Sequence, residues 1–384
     1  MRLAKTPLSS SPHSDARGVS QVSDAVDAVV VGAGLVGVAC ARLLARQGRE
    51  VIVVERHGRA GCETSSRNSG VIHAGLYYPP GSVKAITCVR GRELLYEYCA
   101  RRGVPHRRTG KLVVAVDEGE AEGLVALAHN AERSGVAVAL RDRRWLARRE
   151  PALRGVLALD VPSSGVVDPH ALLTALKADA TDAGAVFAFR TDVRALEAAS
   201  EGWTVVAGET TVRARLVINA GGLGADQLAA AAGCDVEALG WTLHPSKGCW
   251  FDVAPRAPQP RRALVYPMPV RGGLGIHLTR GIDGRLLAGP DVRPARLGDY
   301  DVPTESALTF ARAVARYLPG LKAEHLSPAY AGLRPKRRTD GGFADFVVEE
   351  RPAGVVQLVG IESPGLTAAL ALAERVGALA LAHD

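Results

Sequence analysis

Long apolar runs are missing from this 384-residue chain. No uncharged stretch approaches the roughly 20 residues of a membrane-spanning helix; the longest candidate, Ala28 to Ala41, is short and holds three glycines. Aromatic residues are scarce at 5%, while the 42 glycines point to tight turns and close backbone approaches. Six cysteines (Cys40, Cys62, Cys88, Cys99, Cys234 and Cys249) include no CxxC pair and no Cys/His spacing suited to zinc. No metal site is therefore expected, and the thiols suit a reducing compartment. Neither sign of charge dominates: 47 Lys and Arg stand against 40 Asp and Glu, a net +7. The basic residues are dispersed, apart from Arg334-Pro335-Lys336-Arg337-Arg338, and no nucleic-acid-binding signature accompanies them. Small anions are the partners this charge favours. With 47% apolar and 23% charged residues the chain has ordinary globular composition.

Residues 1–24 are Ser-rich and poor in large apolar side chains. A disordered tail is expected there, with a mitochondrial-type presequence as the alternative; secretion is not expected without an apolar h-region. From Asp27 the pattern changes. Ala28-Val29-Val30-Val31 reads as a strand buried on both faces, Val38 to Gln47 as a helix, and Val51 to Val54 as a second strand ending at Glu55. Helices are also expected over 87–102, 121–134, 169–183, 307–317 and 366–381. Short strands are expected at Lys111–Val116, Thr211–Arg213, Leu216–Asn219, Cys249–Val253, Ala263–Pro267, Gly275–Thr279, Leu286–Ala288 and Val355–Val359. Helix-and-strand units thus enclose a β-rich middle.

Gly32-Ala33-Gly34-Leu35-Val36-Gly37 follows the first strand and opens the first helix, and Glu55 stands 18 residues after the last glycine. That context makes the GxGxxG a dinucleotide fingerprint. Gly32 permits the tight turn, Gly34 lets backbone approach a pyrophosphate, and Gly37 lets helix and strand pack closely. The helix N-terminus supplies N–H donors, and Glu55 accepts from ribose hydroxyls. The motif alone does not separate NAD from FAD. A single complete GxGxxG and the irregular, small-residue stretch with Ser65, Ser66, Asn68 and Ser69 favour FAD.

The run Thr64-Ser65-Ser66-Arg67-Asn68-Ser69-Gly70-Val71-Ile72-His73-Ala74-Gly75-Leu76-Tyr77-Tyr78-Pro79 resembles the second FAD motif of the D-amino-acid-oxidase superfamily. In detail it is similar to the L-2-hydroxyglutarate dehydrogenase/oxidase branch. Gly110-Lys111-Leu112, Gly275-Ile276-His277-Leu278-Thr279, Ala331-Gly332-Leu333-Arg334-Pro335-Lys336 and Gly360-Ile361-Glu362-Ser363-Pro364-Gly365-Leu366-Thr367 extend the likeness over about residues 26 to 380. One departure is the short segment between Cys249 and Gly275, with Val270-Arg271-Gly272-Gly273 where a longer proline-bearing turn is expected.

The resemblance implies an α/β fold: a Rossmann-type, glutathione-reductase-like FAD-binding domain and a second α+β substrate domain on a mixed or antiparallel sheet. The first is expected over 25–80, 151–240 and 340–384, the second over 81–150 and 241–339. The implied reaction is FAD-dependent oxidation of a small 2-hydroxy acid, L-2-hydroxyglutarate first. An amino or imino acid of the glycine or sarcosine type is the alternative.

His73 is the candidate base, since imidazole titrates near neutrality; a structural role or a site of flavin attachment is its alternative. Arg334 is the candidate carboxylate clamp, placed by the resemblance over the flavin face. Pro335 biases Arg334 to an extended backbone, so Arg334 and Lys336 are expected on one strand face, and a dicarboxylate needs a second cation, from Lys336 or Lys247. Tyr78, Tyr266 and His277 are further candidates for the substrate. Val193, Ala220 and Gly221 are expected near the adenine side of the cofactor. Gly365, Leu366 and Thr367 open the last helix, whose N-terminus suits negative charge on the flavin. The electron acceptor (quinone, another flavoprotein or oxygen) stays open. A cytoplasmic location is expected, with peripheral membrane contact or mitochondria as alternatives.

Overall fold

The computed structural model describes residues 25–270, 273–338 and 342–383. The N-terminal tail and the Arg271-Gly272 pair discussed above lie outside them. In chain order the elements that position the site begin with β1 (Val26–Val31), α1 (Leu35–Arg46) and β2 (Val51–Glu55). Next come α2 (Val83–Arg102) and β3 (Lys111–Ala115). They continue with β4 (Thr210–Asn219), β5 (Leu243–Val253), β6 (Leu264–Pro267) and β7 (His277–Arg280). β8 (Leu326–Arg337), β9 (Val355–Val359) and α3 (Gly365–Ala380) complete the set.

An eight-stranded sheet is centred on β1, which pairs in parallel with β2 on one side and β4 on the other. Ala28–Val31 of β1, Val51–Val54 of β2 and Leu216–Ile218 of β4 are continuous apolar runs, as strands covered on both faces require. β4 reads in sequence as two segments but is one ten-residue strand. Its first half pairs antiparallel with Trp203–Ala207, and its second half pairs in parallel with β9. Helix α3 lies between α1 and α2, and its small residues let the three pack closely: at Gly91 of α2 a Cβ would stand 2.3 Å from the Thr367 carbonyl oxygen.

The second sheet has nine strands, antiparallel except where β3 pairs in parallel with β6. Of its edge strand β8 the sequence shows only the extended stretch that puts Arg334 and Lys336 on one face, because Pro328 and Pro335 interrupt the longer run. Proline is tolerated there because β8 has a single partner, β5, running from Leu243 opposite Arg337 to Val253 opposite Leu326. The N-terminus of α2 lies one turn before the expected Thr87. Ser82 caps it through Ala85 N–H at 3.2 Å, and the Asp345 carboxylate takes the N–H groups of Val83 and Lys84 at 2.7 and 2.9 Å.

The division between layers also differs from the expected one. α2 packs on α3, with the first sheet, and His106–Arg107 pairs with Gly165–Val167 in a small three-stranded sheet. Leu157–Val161 instead joins the second sheet beside β3. The chain therefore crosses after α2 rather than before it, and after Val161 rather than at Pro151.

Candidate active site

The turn from β1 into α1 has no room for side chains. Gly32 has φ 106°, and a Cβ there would stand 2.5 Å from the Ala220 carbonyl oxygen; a Cβ on Gly37 would stand 2.0 Å from that of Gly32. No acidic residue stands in the first turn of α1 and its N-cap Gly34 has no side chain, so the N–H groups beyond that of Leu35 can meet an anion. Ser65 Oγ accepts from Leu35 N–H at 2.9 Å. Glu55, buried at the end of β2, accepts from Ala33 N–H at 2.8 Å and His57 N–H at 2.9 Å. A carboxylate has about four acceptor positions, so capacity remains for hydroxyl donors.

Two chambers meet at this turn and share Gly34, Ser65 and Ala220. The smaller, about 310 Å³, is lined by Gly32, Glu55, Val193 and Gly221. The larger, about 620 Å³, runs past Asn68 and Ser69 and the start of α3 at Gly365 and Leu366 to His73, Tyr78, Tyr266, His277, Arg334 and Lys336. Within the 63–70 loop Ser66 Oγ donates to Glu63 O at 3.0 Å, and the Asn68 amide bridges Ser65 O and Gly70 N–H, while Thr64 Oγ1 donates to Leu333 O at 3.0 Å and Arg67 Nη1 to Ala331 O at 3.3 Å; Ser66 lines neither chamber.

Arg334 sits on β8 where Gly248 of β5 leaves space; a Cβ on Gly248 would stand 2.4 Å from Arg334 Nη2. Nη2 donates to Asp291 O at 3.4 Å, while Nη1 is enclosed and has no partner among the described residues. Burial pushes the guanidinium down from its usual range, with Glu362 and Asp291 opposing, but arginine remains the cation at any working pH. Lys336, two residues along, lies on the same strand face and lines the same cavity. Lys247 does not. Its neighbours Ser246 and Gly248 face the cavity, so alternation turns Lys247 away, where it pairs with Asp299 at 2.6 Å.

His73 is buried, with its backbone N–H on Thr367 Oγ1 at 3.0 Å, Nε2 3.4 Å from Ser363 Oγ, and Nδ1 without a partner. Thr367 is therefore an anchor for His73; it does not line the cavity. Burial above all, then the charges of Lys111 and His277, hold the His73 imidazole well below its usual range. His277 is pushed down to about 3, chiefly by burial. Its ring stacks on Tyr266 with centroids 3.7 Å apart and meets the Trp250 edge at 5.4 Å. The His277 Nδ1–H is assigned to Gly275 O at 3.0 Å, which leaves Nε2 an acceptor. A neutral imidazole of that tautomer takes a hydrogen bond from a hydroxyl and gives none to a carboxylate. Burial raises the phenols of Tyr78 and Tyr266 above their usual range, so both are donors.

Sequence reasoning assigned no role to Arg67, Tyr77, Lys84 and Trp250, which also line the larger cavity. Lys111, behind it, was read as the start of a strand and as part of a segment carrying the family likeness, with no role of its own. Its signal was a lysine heading the run Lys-Leu-Val-Val-Ala, all five of whose residues are buried.

A profile of the FAD dependent oxidoreductase family matches residues 27–379. The chain belongs to that family. L-2-hydroxyglutarate dehydrogenase, mitochondrial, of Arabidopsis thaliana is 37% identical over 403 residues, covering 91% of this chain and 82% of the relative. L-2-hydroxyglutarate dehydrogenase of Escherichia coli K12 is 27% identical over 398 residues, covering 91% and 92%. Among solved structures, dithionite-reduced L-alpha-glycerophosphate oxidase of Mycoplasma pneumoniae with FAD bound superposes with a TM-score of 0.85 at 24% identity, covering 94% and 95%. Glycine oxidase of Geobacillus kaustophilus gives 0.79 at 23%, with the same coverage. These two likenesses carry the fold alone. The family's FAD fits the residues of this chain: two joined chambers give an extended dinucleotide its length, glycines that admit no Cβ line the pyrophosphate turn, and Glu55 has acceptors to spare. No helix among the described residues is long and apolar enough to cross a membrane.

Proposed function

We propose that this FAD dependent oxidoreductase oxidises L-2-hydroxyglutarate to the corresponding 2-oxo acid. The observation that carries this reading is Arg334 Nη1, an enclosed guanidinium nitrogen with no partner among the described residues, in the cavity that also holds two neutral histidines. A buried cation of that kind is costly unless an anion meets it. The hydroxyglutarate names of the relatives supply the substrate class.

FAD, held by Gly32, Gly34, Gly37, Glu55, Ser65, Val193, Ala220, Gly221 and the Gly365-Leu366 helix start, supplies the two-electron acceptor chemistry when bound. Arg334 binds the carboxylate beside the reacting carbon and fixes its orientation. Lys336, on the same strand face, meets the distal carboxylate. His73, neutral at physiological pH, takes the hydroxyl proton as the hydrogen on that carbon departs. Thr367 fixes the backbone at His73, while Tyr78 and Tyr266 donate to substrate oxygens. The electron acceptor (quinone, a second flavoprotein or oxygen) enters in a later half-reaction.

Anaerobic titration of the flavin absorbance separates the halves. Bleaching by L-2-hydroxyglutarate, with none by its D-enantiomer, glycine, sarcosine or glycerol 3-phosphate, is the expected result. Bleaching by an amine instead would move the enzyme to amino- or imino-acid oxidation.

A further inference from the structure

Lys111 is fully buried at the start of β3, and its Nζ has no hydrogen-bond partner among the described residues. The groups that face it come from several elements. Tyr77 and His73 lie on the loop before α2, Cys88 on α2, Tyr266 on β6 and His277 on β7. Nζ stands 4.1 Å from the Tyr266 ring centroid and 5.2 Å from that of Tyr77. The Cys88 thiol, raised by burial to about 12, is neutral. Tyr77, Tyr266, His73 and His277 all line the reaction cavity, so Lys111 forms a layer directly behind it.

A buried, unpaired lysine neutralises rather than keep its charge. Burial accordingly lowers the Lys111 ammonium to about 7. Two tyrosine faces favour the protonated form against that burial. The side chain is thus balanced between amine and ammonium. His73, the base facing the substrate, has its Nδ1 enclosed and unpartnered as well. Oxidation of a hydroxy acid leaves one proton to be placed in a closed site, and a histidine held well below its usual range keeps that proton poorly.

We propose that Lys111 is the proton-holding station behind His73, receiving as a neutral amine the proton that His73 takes from the substrate hydroxyl. The step balances. The hydroxyl O–H bond breaks and its electron pair completes the C=O bond. The hydrogen on the reacting carbon leaves as hydride, with FAD as the oxidant of this family. The imidazole N–H bond then breaks as His73 and Lys111, which are not hydrogen-bonded in the substrate-free structure, come into contact, and the proton makes a third N–H bond on Lys111 Nζ. This inference rests on the hydroxy-acid reading, because oxidation of a neutral amine releases no hydroxyl proton.

The chain has only seven lysines, so labelling lysine with carbon-13 at Cε gives few signals. In the substrate-free holoenzyme one signal, absent in Lys111→Met, is expected to titrate near pH 7. The second readout is anaerobic flavin reduction by L-2-hydroxyglutarate against pH. In the wild type its rate falls as pH drops through about 7, because a filled Lys111 accepts nothing. In Lys111→Met that limb is lost and the rate above pH 7 falls by about 100-fold, within the usual range of acid–base contributions. Lys111→Arg keeps a charge but never accepts a proton, so it behaves like Lys111→Met. A Lys111 signal that titrates above pH 9, or a Lys111→Arg variant with wild-type rate and pH profile, would overturn the proposal. A wild type that L-2-hydroxyglutarate does not bleach would instead overturn the substrate reading and the relay with it, while the lysine titration stands apart from that result.

Discussion

Replacing Lys111 with methionine is expected to stabilise the protein while damaging its activity. In the unfolded chain the lysine titrates at 10.5, and in the folded protein at about 7. The sign follows from proton binding. Above pH 10.5 the amine is neutral in both states and contributes nothing. Between 10.5 and 7 the unfolded state takes up the proton and the folded state does not, so stability falls as pH drops. Below 7 the loss is complete. A gap of three to four pKa units, at about 1.36 kcal/mol each, puts that loss near 5 kcal/mol. Methionine has a similar length and no charge; imperfect packing takes back about 1–2 kcal/mol. A net gain of about 3 kcal/mol is therefore expected at pH 7, shrinking to nothing or to a small loss at pH 10.5. Denaturant unfolding of the holoenzyme at the two pH values measures both. A variant no more stable than wild type at pH 7, or a gain of equal size at pH 10.5, would refute the reasoning.

Arg334→Lys keeps the charge and loses the planar fork, so kcat/KM for L-2-hydroxyglutarate should fall by about 100-fold, the scale of a charged hydrogen bond, with FAD content unchanged. Gly248→Ala places a Cβ 2.4 Å from Arg334 Nη2 and 2.8 Å from Pro290 Cβ; steady-state kinetics should show a loss similar to that of Arg334→Lys, again with normal flavin. Glu55→Gln gives up the charge that faces the Ala33 and His57 N–H groups, and FAD affinity, followed by fluorescence on reconstitution, should weaken by about 10- to 100-fold. If Glu55→Gln retained FAD like the wild type, the smaller chamber would not be the ribose end.

The two ends of the fold were legible because their signals are local. A continuous Val run, a GxGxxG with its helix and an acid at the end of the next strand specify a βαβ unit without tertiary information. β8 was legible only around Arg334 and Lys336, because its two prolines read as breaks unless the strand is known to lie at an edge. Lys247 illustrates a different limit. Its type suited an anionic substrate, but which face of β5 it occupies depends on register against β8, and Gly248 rather than Lys247 turns out to serve Arg334. Lys111 was legible as a position and not as a role: a lysine heading an apolar strand can place its amine on the surface or in the core, and only the packing of Tyr77 and Tyr266 decides. His277 shows the same dependence, since its tautomer is set by a carbonyl two residues away.

The central claim is removal of hydride from the carbon bearing the hydroxyl of L-2-hydroxyglutarate. Rapid mixing of the oxidised holoenzyme with substrate deuterated at that carbon, without oxygen, tests it directly. The account predicts that flavin bleaching slows several-fold relative to the undeuterated acid and that one 2-oxo acid forms per flavin reduced. Bleaching that is insensitive to deuterium at saturating substrate, or that yields no 2-oxo acid, would contradict it.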